Sequence, residues 1–321
     1  MRKEDAFQQW GDYRGWDCQP ADFEEFWAVA KKEVEDLGLD YQLIPFSLAS
    51  HQVDAYELTY RGVGGARIFC QLLKPKSYSG SLPVIFQFHG YHTHSGDWTD
   101  KVGMAAEGAY VVAMDVRGQG GQSEDGLAVS HATVKGHLIR GVEEGPERLF
   151  YRYVYQDIYQ LTRILMSFED VDRSRLVSSG ASQGGALALV CAALTSEIAY
   201  SFVQYPFLSD IREAYRLDVE QSAYEEIAYY FRFRDSLHER EEAFFNCLDY
   251  IDIHYLAPWI RAEVWWAMGL EDKVCHPKTQ FATFNQLQTS KQLRTFPEYG
   301  HEYLPAFGDE IRRVLFDKGV V

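Results

Sequence analysis

The segment from Gly180 to Gly184, with the sequence Gly-Ala-Ser-Gln-Gly, has the clearest chemical meaning in this chain. The G-x-S-x-G pattern, when a strand precedes it and a helix follows, is typical of a strained turn that presents a serine hydroxyl as a nucleophile. Glycines at both ends remove side chains that would collide with neighbouring backbone in so sharp a turn. A plain tight turn with a small polar residue would carry the same pattern. Ser182 is therefore the predicted nucleophile provided that suitable partners follow it.

Two later residues could complete the chemistry of Ser182. A serine hydroxyl is a weak nucleophile near neutral pH; it needs a base, and the base needs an orienting carboxylate. In strand–turn–helix sites of this kind the chain order is serine, then Asp or Glu, then His. Asp272 and His301 each follow a predicted strand in that order, so we predict them as the acid and the base. Glu271 competes for the acid role, which the G-x-x-D spacing after the strand assigns to Asp272 in preference. Taken singly, Asp272 could be a loop acid and His301 a surface histidine.

Stabilisation of the tetrahedral intermediate requires two backbone N–H groups aimed at its oxygen. One is expected from Gln183, the residue after the nucleophile. The other is expected from the loop after an earlier strand, where His89, Gly90 and Tyr91 follow the apolar run 84–88. Loops in that position supply the second donor in such sites. We predict that the N–H groups of Tyr91 and Gln183 form the oxyanion hole.

The same loop offers a rival interpretation as a metal site, because His89, His92, His94 and Asp97 lie close together in the sequence. Histidine clusters of this kind bind zinc in metal-dependent hydrolases. No H-E-x-x-H motif occurs, and the cluster has no matching carboxylate or second cluster elsewhere in the chain. We therefore predict no metal and no other cofactor, with His89 as a packed, hydrogen-bonded loop residue. The segment 117–121, Arg-Gly-Gln-Gly-Gly, lacks the spacing of a phosphate-binding loop and is predicted to be a structural turn.

Short apolar runs alternate with helical patterns through most of the chain, which predicts an α/β fold with a mostly parallel, doubly wound sheet. The chain opens instead with two alternating segments joined by a glycine-rich turn, which predicts antiparallel strands at the N-terminal side. In such sheets the functional residues lie beyond the carboxyl ends of the strands. The predicted strands are 52–60, 66–73, 84–88, 110–114, 175–179, 201–204, 263–268 and 292–296, and the predicted helices between them are 99–107, 151–168, 183–194, 277–288 and 303–317.

The stretch 208–256 has no pattern of a buried strand and is rich in Tyr, Phe, Glu and Arg. We predict that it is a helical cap inserted between two strands of the sheet. Its acidic residues are expected to form a solvated helical face. The chain has no repeat, low-complexity tract or linker-like stretch, so we predict a single domain over 1–321 with this insertion inside it.

Composition excludes several classes of function. The 321 residues carry a formal net charge of −16, and a field of that sign repels phosphate backbones and anionic lipid. We therefore predict no nucleic-acid partner and no membrane partner. The five cysteines are far apart and form no C-x-x-C pair, which is typical of a reducing compartment without a zinc ribbon. The N-terminal residues Met-Arg-Lys-Glu-Asp contain no apolar stretch of the kind found in a signal peptide. These features predict a cytoplasmic protein.

Several motifs, in order along nearly the whole chain, resemble the carbohydrate esterase family that contains acetyl xylan esterases and cephalosporin C deacetylases, within the α/β-hydrolase superfamily. The resemblance extends from an entry helix to a closing histidine. The matching segments are Pro20 to Trp27, His89-Gly90-Tyr91, Arg117-Gly118-Gln119-Gly120, Gly180 to Gly185, Gly269 to Asp272, and His301-Glu302. The chain departs from the family at Tyr303-Leu304-Pro305, where glycines are usual, and at His276, where a proline is common. Both departures lie close to the predicted site.

This resemblance implies an α/β-hydrolase fold and the removal of acetyl groups from small acetylated sugars, often with activity on acetylated cephalosporins. It also implies a cytoplasmic enzyme without metal that forms a homo-oligomer, commonly a hexamer. The acyl pocket is implied to be short and closed by bulky side chains, which assigns Tyr91, Pro206 and Phe207 to substrate binding.

Two other functions are compatible with the fold. One is a peptidase-like or other short-acyl hydrolase of the same superfamily; the peptidases usually carry a propeller domain, which this sequence lacks. The other is a binding protein without catalysis. A silent relative would be free to lose any member of the Ser182, Asp272 and His301 set, so the intact set favours an enzyme.

Overall fold

A computed structural model describes residues 2–129, 136–217 and 224–321. Nine strands in these residues form one sheet, and helices lie on both of its faces. The strands are β1 Tyr41–Phe46, β2 Val53–Arg61, β3 Arg67–Pro75, β4 Leu82–Phe88, β5 Tyr110–Met114, β6 Val171–Ala181, β7 Ile198–Gln204, β8 Glu263–Gly269 and β9 Lys291–Phe296. The α-helices are α1 Lys3–Trp10, α2 Phe23–Asp36, α3 Thr99–Ala106, α4 Phe150–Met166, α5 Gln183–Leu194, α6 Ile211–Arg216, α7 Glu225–Phe233, α8 Glu241–Leu248, α9 Ile253–Leu256, α10 Pro277–Gln286 and α11 Phe307–Asp317.

The predicted α/β fold with a mostly parallel sheet is confirmed. The strand order is β1-β2-β3-β5-β4-β6-β7-β8-β9. The first three strands and the β3–β5 pair are antiparallel, and all pairs from β5 to β9 are parallel. Strand β1 was not predicted because its proline interrupts the pattern of a strand. Prolines within sheets are confined largely to edge strands, and β1 is an edge strand.

Alternation of side chains along the central strands explains why helices cover both faces of the sheet. In β5 every residue is buried, yet Val111 and Val112 belong to different apolar clusters. The cluster that contains Val112 packs under α2, α4 and α5, whereas the one that contains Val111 packs under α3 and α11. A strand buried on both sides needs the continuous apolar run that the sequence shows.

The described part of 208–256 contains α6 to α9 and no strand, and it leaves the sheet between β7 and β8. Its helices contact α5 and α10. The expectation of a solvated acidic face is wrong for five of its carboxylates, which are at most 2% exposed: Asp210, Glu213, Glu226, Asp249 and Asp252. Their burial is possible because buried hydrogen-bond donors pair with these carboxylates. Asp249, for example, pairs with Arg212 at 2.8 Å, and Asp252 accepts the backbone N–H groups of Asp210 and Ile211.

Among the helices that the structure describes, none has the length and apolar character that a membrane span requires.

The turn after β5 is held by a fully buried ion pair. The guanidinium of Arg117 donates to both carboxylate oxygens of Asp157 in α4, at 2.7 and 2.6 Å, and both side chains are 1% exposed. Removal of one member of such a pair leaves an uncompensated charge in the interior. The pair therefore fixes the turn at 117–121 against the helical layer.

The Asp157→Asn substitution should lower the free energy of unfolding by about 3–5 kcal/mol, because the buried guanidinium of Arg117 loses its counter-charge. Urea denaturation followed by circular dichroism measures this change. The exposed pair Arg312–Glu107 provides the control: Glu107→Gln should cost less than about 1 kcal/mol. Equal effects of the two substitutions would contradict the importance given to the buried pair.

Candidate active site

Ser182 lies in the sharp turn between β6 and α5, with φ 59° and ψ −121°. This left-handed backbone is strained for a residue with a side chain. The flanking glycines are required sterically. A Cβ at Gly180 would lie 2.2 Å from the carbonyl oxygen of Gly184, and a Cβ at Gly184 would lie 2.0 Å from that of Phe88. The strain is held by hydrogen bonds on either side, from the Ser182 N–H to the Gln204 oxygen and from the Phe207 N–H to the Ser182 oxygen.

The side chains of Ser182, His301 and Asp272 form one hydrogen-bonded series. His301 Nε2 lies 2.9 Å from Ser182 Oγ, and His301 Nδ1 lies 2.8 Å from Asp272 Oδ2. Because a carboxylate can only accept, the proton of the neutral imidazole lies on Nδ1 and leaves Nε2 as the acceptor for the serine hydroxyl. The sheet brings these residues together because β6, β8 and β9 run parallel and end at the same edge.

Asp272 is 1% exposed and held rigidly by its own loop. Its Oδ1 accepts the backbone N–H groups of Val274 and Cys275, each at 2.8 Å, so that Oδ2 faces His301. Glu271, the competing acid, is exposed. The ring of Tyr205 packs against the His301 imidazole with centroids 4.5 Å apart, a contact that the sequence did not indicate.

Gln183 and the loop of Tyr91 lie next to each other because Gly184 approaches the end of β4 so closely. The buried Gln183 amide nitrogen is 3.3 Å from the His89 oxygen and 3.4 Å from the Gly90 oxygen. Its Oε1 accepts the Tyr151 hydroxyl at 2.8 Å. The residues that carry the two predicted oxyanion donors are thereby fixed relative to each other.

Gln119, in the turn after β5, is a positioning residue that the sequence reasoning missed. Its amide nitrogen lies 2.7 Å from Gln183 Oε1, and its Oε1 accepts the His92 N–H at 3.0 Å. The N–H of Gly120 donates to the Thr93 oxygen at 3.0 Å. The segment 117–121 is thus a structural turn, as expected, but one that supports the loop of Tyr91. Its position after the strand that neighbours β4 was the available signal.

Two histidines of this loop, His89 and His94, have side chains that are hydrogen-bonded to the backbone. His89 Nε2 accepts the Val116 N–H at 2.9 Å, so Nδ1 is the donor to the Gly90 oxygen at 2.7 Å. His94 Nδ1 accepts the Gly96 N–H at 3.1 Å. Burial lowers the pKa of His89, which favours this neutral, doubly bonded form. Within the described residues no three His, Cys, Asp or Glu side chains are arranged to hold a metal ion.

The residues assigned to substrate binding lie near the Ser182 turn. Pro206 and Phe207 follow Tyr205 after the end of β7 and are buried. The ring centroids of Phe207 and Tyr91 are 5.8 Å apart, and Tyr224 of the cap packs on Phe207 at 4.6 Å. Aromatic side chains from the segment after β7, the loop of Tyr91 and the cap therefore form a continuous wall.

The two departures from the family pattern lie outside this wall. Tyr303 is 77% exposed and points away from the core, whereas Leu304 is buried in the cluster that contains Tyr205. His276 begins α10, where its Nδ1 accepts the Lys278 N–H at 3.1 Å. Its ring packs on Trp10 of α1.

Comparison with known proteins identifies relatives over the full chain. The acetyl xylan esterase family pattern matches residues 2–318. Acetyl xylan esterase 1 from Thermoanaerobacterium sp. is 40% identical, with a TM-score of 0.94 over 99% of this chain and 98% of its own. Acetyl xylan esterase from Paenibacillus sp. R4 is 31% identical, with a TM-score of 0.93 over 99% of both chains.

A curated relative, acetyl esterase Axe7A from Xylanibacter ruminicola, is 26% identical over 88% of this chain. The chain spans 63% of the length of that protein. Acylaminoacyl peptidase from Pyrococcus horikoshii is similar in fold alone, at 16% identity and a TM-score of 0.59. The resemblance inferred from the sequence motifs is confirmed, and this chain belongs to the acetyl xylan esterase family.

Proposed function

We propose that this chain is a serine carboxylesterase that removes acetyl groups from small acetylated carbohydrates. The hydrogen-bonded series Ser182–His301–Asp272 carries the proposal, because it joins a nucleophile, a base and an orienting acid at the carboxyl edge of the sheet. Membership of the acetyl xylan esterase family supports an acetyl ester as the substrate.

In the proposed acylation step, Ser182 Oγ attacks the acetyl carbonyl carbon while His301 Nε2 takes the hydroxyl proton. The carbonyl electron pair moves onto oxygen, which the N–H groups of Gln183 and Tyr91 stabilise. Collapse of this intermediate breaks the bond to the sugar oxygen, and the His301 imidazolium protonates the departing alkoxide. The Asp272 carboxylate stabilises the imidazolium, and its two backbone donors hold the carboxylate in place.

Deacylation repeats these roles with water. His301 takes a proton from a water molecule that attacks the acetyl-serine carbonyl, and the oxyanion forms again in the same hole. Collapse releases acetate, and His301 returns the proton to Ser182 Oγ. The cycle requires neither a metal ion nor an organic cofactor.

The aromatic wall supports a short acyl pocket. Tyr91, Pro206 and Phe207 would meet the methyl group of an acetyl ester, and a longer chain would have to displace buried rings.

The family resemblance supports three further proposals. We propose that acetylated cephalosporins are alternative substrates, that the protein is cytoplasmic, and that it forms a homo-oligomer. We also propose that the chain is a single domain with its cap over 208–256.

The triad residues should act as a unit, so that substitution of any one of them removes most of the activity. Ser182→Ala and His301→Ala should each lower kcat by roughly 10⁴–10⁶-fold, and the double variant should be little worse, because such residues act together. Asp272→Asn should lower kcat by a smaller factor. Hydrolysis of p-nitrophenyl acetate measures the effect.

The exposed neighbour Glu271 supplies the matched control, since Glu271→Gln should leave kcat within about two-fold if Asp272 is the acid. Labelling with a fluorophosphonate should require Ser182. Retention of a tenth of the wild-type activity by Ser182→Ala would rule out the mechanism.

Exhaustive treatment with EDTA or phenanthroline should leave esterase activity intact, because no proposed step uses a Lewis acid. Activity before and after dialysis against the chelator is the measurement. Substitution of the exposed His94 by Ala should likewise leave esterase activity unchanged. Loss of activity that added zinc restores would instead favour the cluster of His89, His92 and His94.

Acyl-chain length should govern specificity through exclusion. A methylene forced into a closed pocket costs roughly 1–3 kcal/mol. For p-nitrophenyl esters, kcat/KM should be highest for acetate, modestly lower for propionate, and at least roughly 10²-fold lower for octanoate, equivalent to about 2.7 kcal/mol.

Tyr303→Gly is the control for this profile. Since the Tyr303 side chain is 77% exposed, its removal should leave the order of the esters unchanged. A profile that rises from acetate towards octanoate would indicate an open, lipase-like channel and would contradict an acetyl esterase.

A further inference from the structure

Glu226, in α7 of the cap, is a buried carboxylate that the proposed mechanism does not use. It is 1% exposed. Its two oxygens have different partners: Oε1 accepts the hydroxyl of Tyr91, and Oε2 accepts the backbone N–H of Leu138 at 2.7 Å. The carboxylate thus joins the cap to the loop that follows β4 and to the segment 136–139.

The Tyr91 side chain is restrained at its tip and along its ring. Its hydroxyl donates to Glu226 and accepts the His137 N–H at 2.8 Å, which leaves it little freedom to turn. The ring packs edge-on against His137, with centroids 5.9 Å apart, and at a tilt against Phe207, with centroids 5.8 Å apart. A displacement of the Tyr91 backbone would have to carry the ring with it and break these contacts, because the ring is attached to the same Cα.

We propose that Glu226 is a positioning residue for the oxyanion hole, holding the Tyr91 side chain so that the Tyr91 backbone N–H keeps its aim at the developing oxyanion. The inference rests on the proposed function, in which that N–H is one of two donors. It extends the active-site machinery to the helical cap, whose carboxylate touches no reacting atom.

The chain is built to accept this carboxylate in spite of its cost. Burial raises the pKa of Glu226 to about 7, since a charged group loses its hydration in the interior. Gly136 has φ +68°, and a Cβ on it would lie within 2 Å of the Glu226 carboxylate oxygen, so that only glycine leaves room for the acid. An apolar side chain would fill the space without the cost of burial, but it could not hold a hydroxyl.

The test compares Glu226→Gln, Tyr91→Phe and the double variant in steady-state hydrolysis of p-nitrophenyl acetate. Removal of an oxyanion donor costs about 10²–10³-fold in kcat. A misaimed donor should cost less, so each single variant should lower kcat by roughly ten- to hundred-fold, with KM changed by less than about three-fold. The double variant should be no worse than the more impaired single variant, because both break the same contact. Glu226→Ala should be more impaired than Glu226→Gln, which keeps one acceptor oxygen.

Asp249→Asn is the matched control, since Asp249 is an equally buried cap carboxylate that binds Arg212 and does not contact the loop of Tyr91. It should lower Tm while leaving kcat within about two-fold. Each variant is checked for folding by circular dichroism. Tyr91→Phe keeps the inference testable if Glu226→Gln does not fold, because it removes only a hydroxyl.

Two results would overturn the inference: wild-type kcat in both folded single variants, or a kcat loss in Asp249→Asn as large as that in Glu226→Gln, which would indicate a merely structural role. Ser182→Ala, measured in parallel, separates this failure from that of the proposed function. If Ser182→Ala is inactive and the Glu226 and Tyr91 variants are unimpaired, only the positioning role is wrong. If Ser182→Ala is active, the proposed function itself is wrong, and the inference fails with it.

Discussion

The close approach of the backbone at Gly184 to the end of β4 is the constraint on which the other parts of the site depend. With a Cβ at that position only 2.0 Å from the Phe88 oxygen, no side chain fits. This approach allows the Ser182 turn to sit directly beside the loop of Tyr91. Gln183 can then bond to that loop through its side chain while its own N–H remains at the first turn of α5, where helix N–H groups lack intrahelical partners. A larger separation would leave the proposed nucleophile and the proposed oxyanion donors on two unconnected strand ends.

The positions of Ser182, Asp272 and His301 could be predicted because each follows a buried strand, and parallel strands bring their carboxyl ends to one edge. The contact between Glu226 and Tyr91 could not be predicted, because the two residues lie 135 positions apart in the chain and their contact is part of no periodic pattern. The acids of the cap were misread for a related reason. The helices of the cap bury apolar residues on one face, but residue type alone does not tell a solvated carboxylate from one that meets buried donors.

Buried polar bonds, as well as apolar packing, fix the cap to the rest of the chain. Asp210 accepts the hydroxyl of Tyr13, and His254 contacts both Asp252 and the Trp16 oxygen. The segment before α2 is therefore tied to the insertion across 197 to 238 positions of the sequence. Directional bonds of this kind define one arrangement more sharply than apolar contacts do, since a shifted cap would leave polar groups unpaired. A cap held in one arrangement can present Glu226 to Tyr91 at a constant distance.

The two outer strands of the sheet have a consequence for how copies of the chain can associate. A free strand edge can pair with another molecule and is a common start of aggregation. Pro45 in β1 removes one backbone donor that an added strand would need. At the opposite edge, β9 carries Lys291 and Arg294, and charged residues on an edge strand disfavour such pairing. Both borders of the sheet thus disfavour its continuation from one molecule into the next. They favour an assembly built from contacts between side-chain surfaces, each with its own shape and charge, over an extended intermolecular sheet.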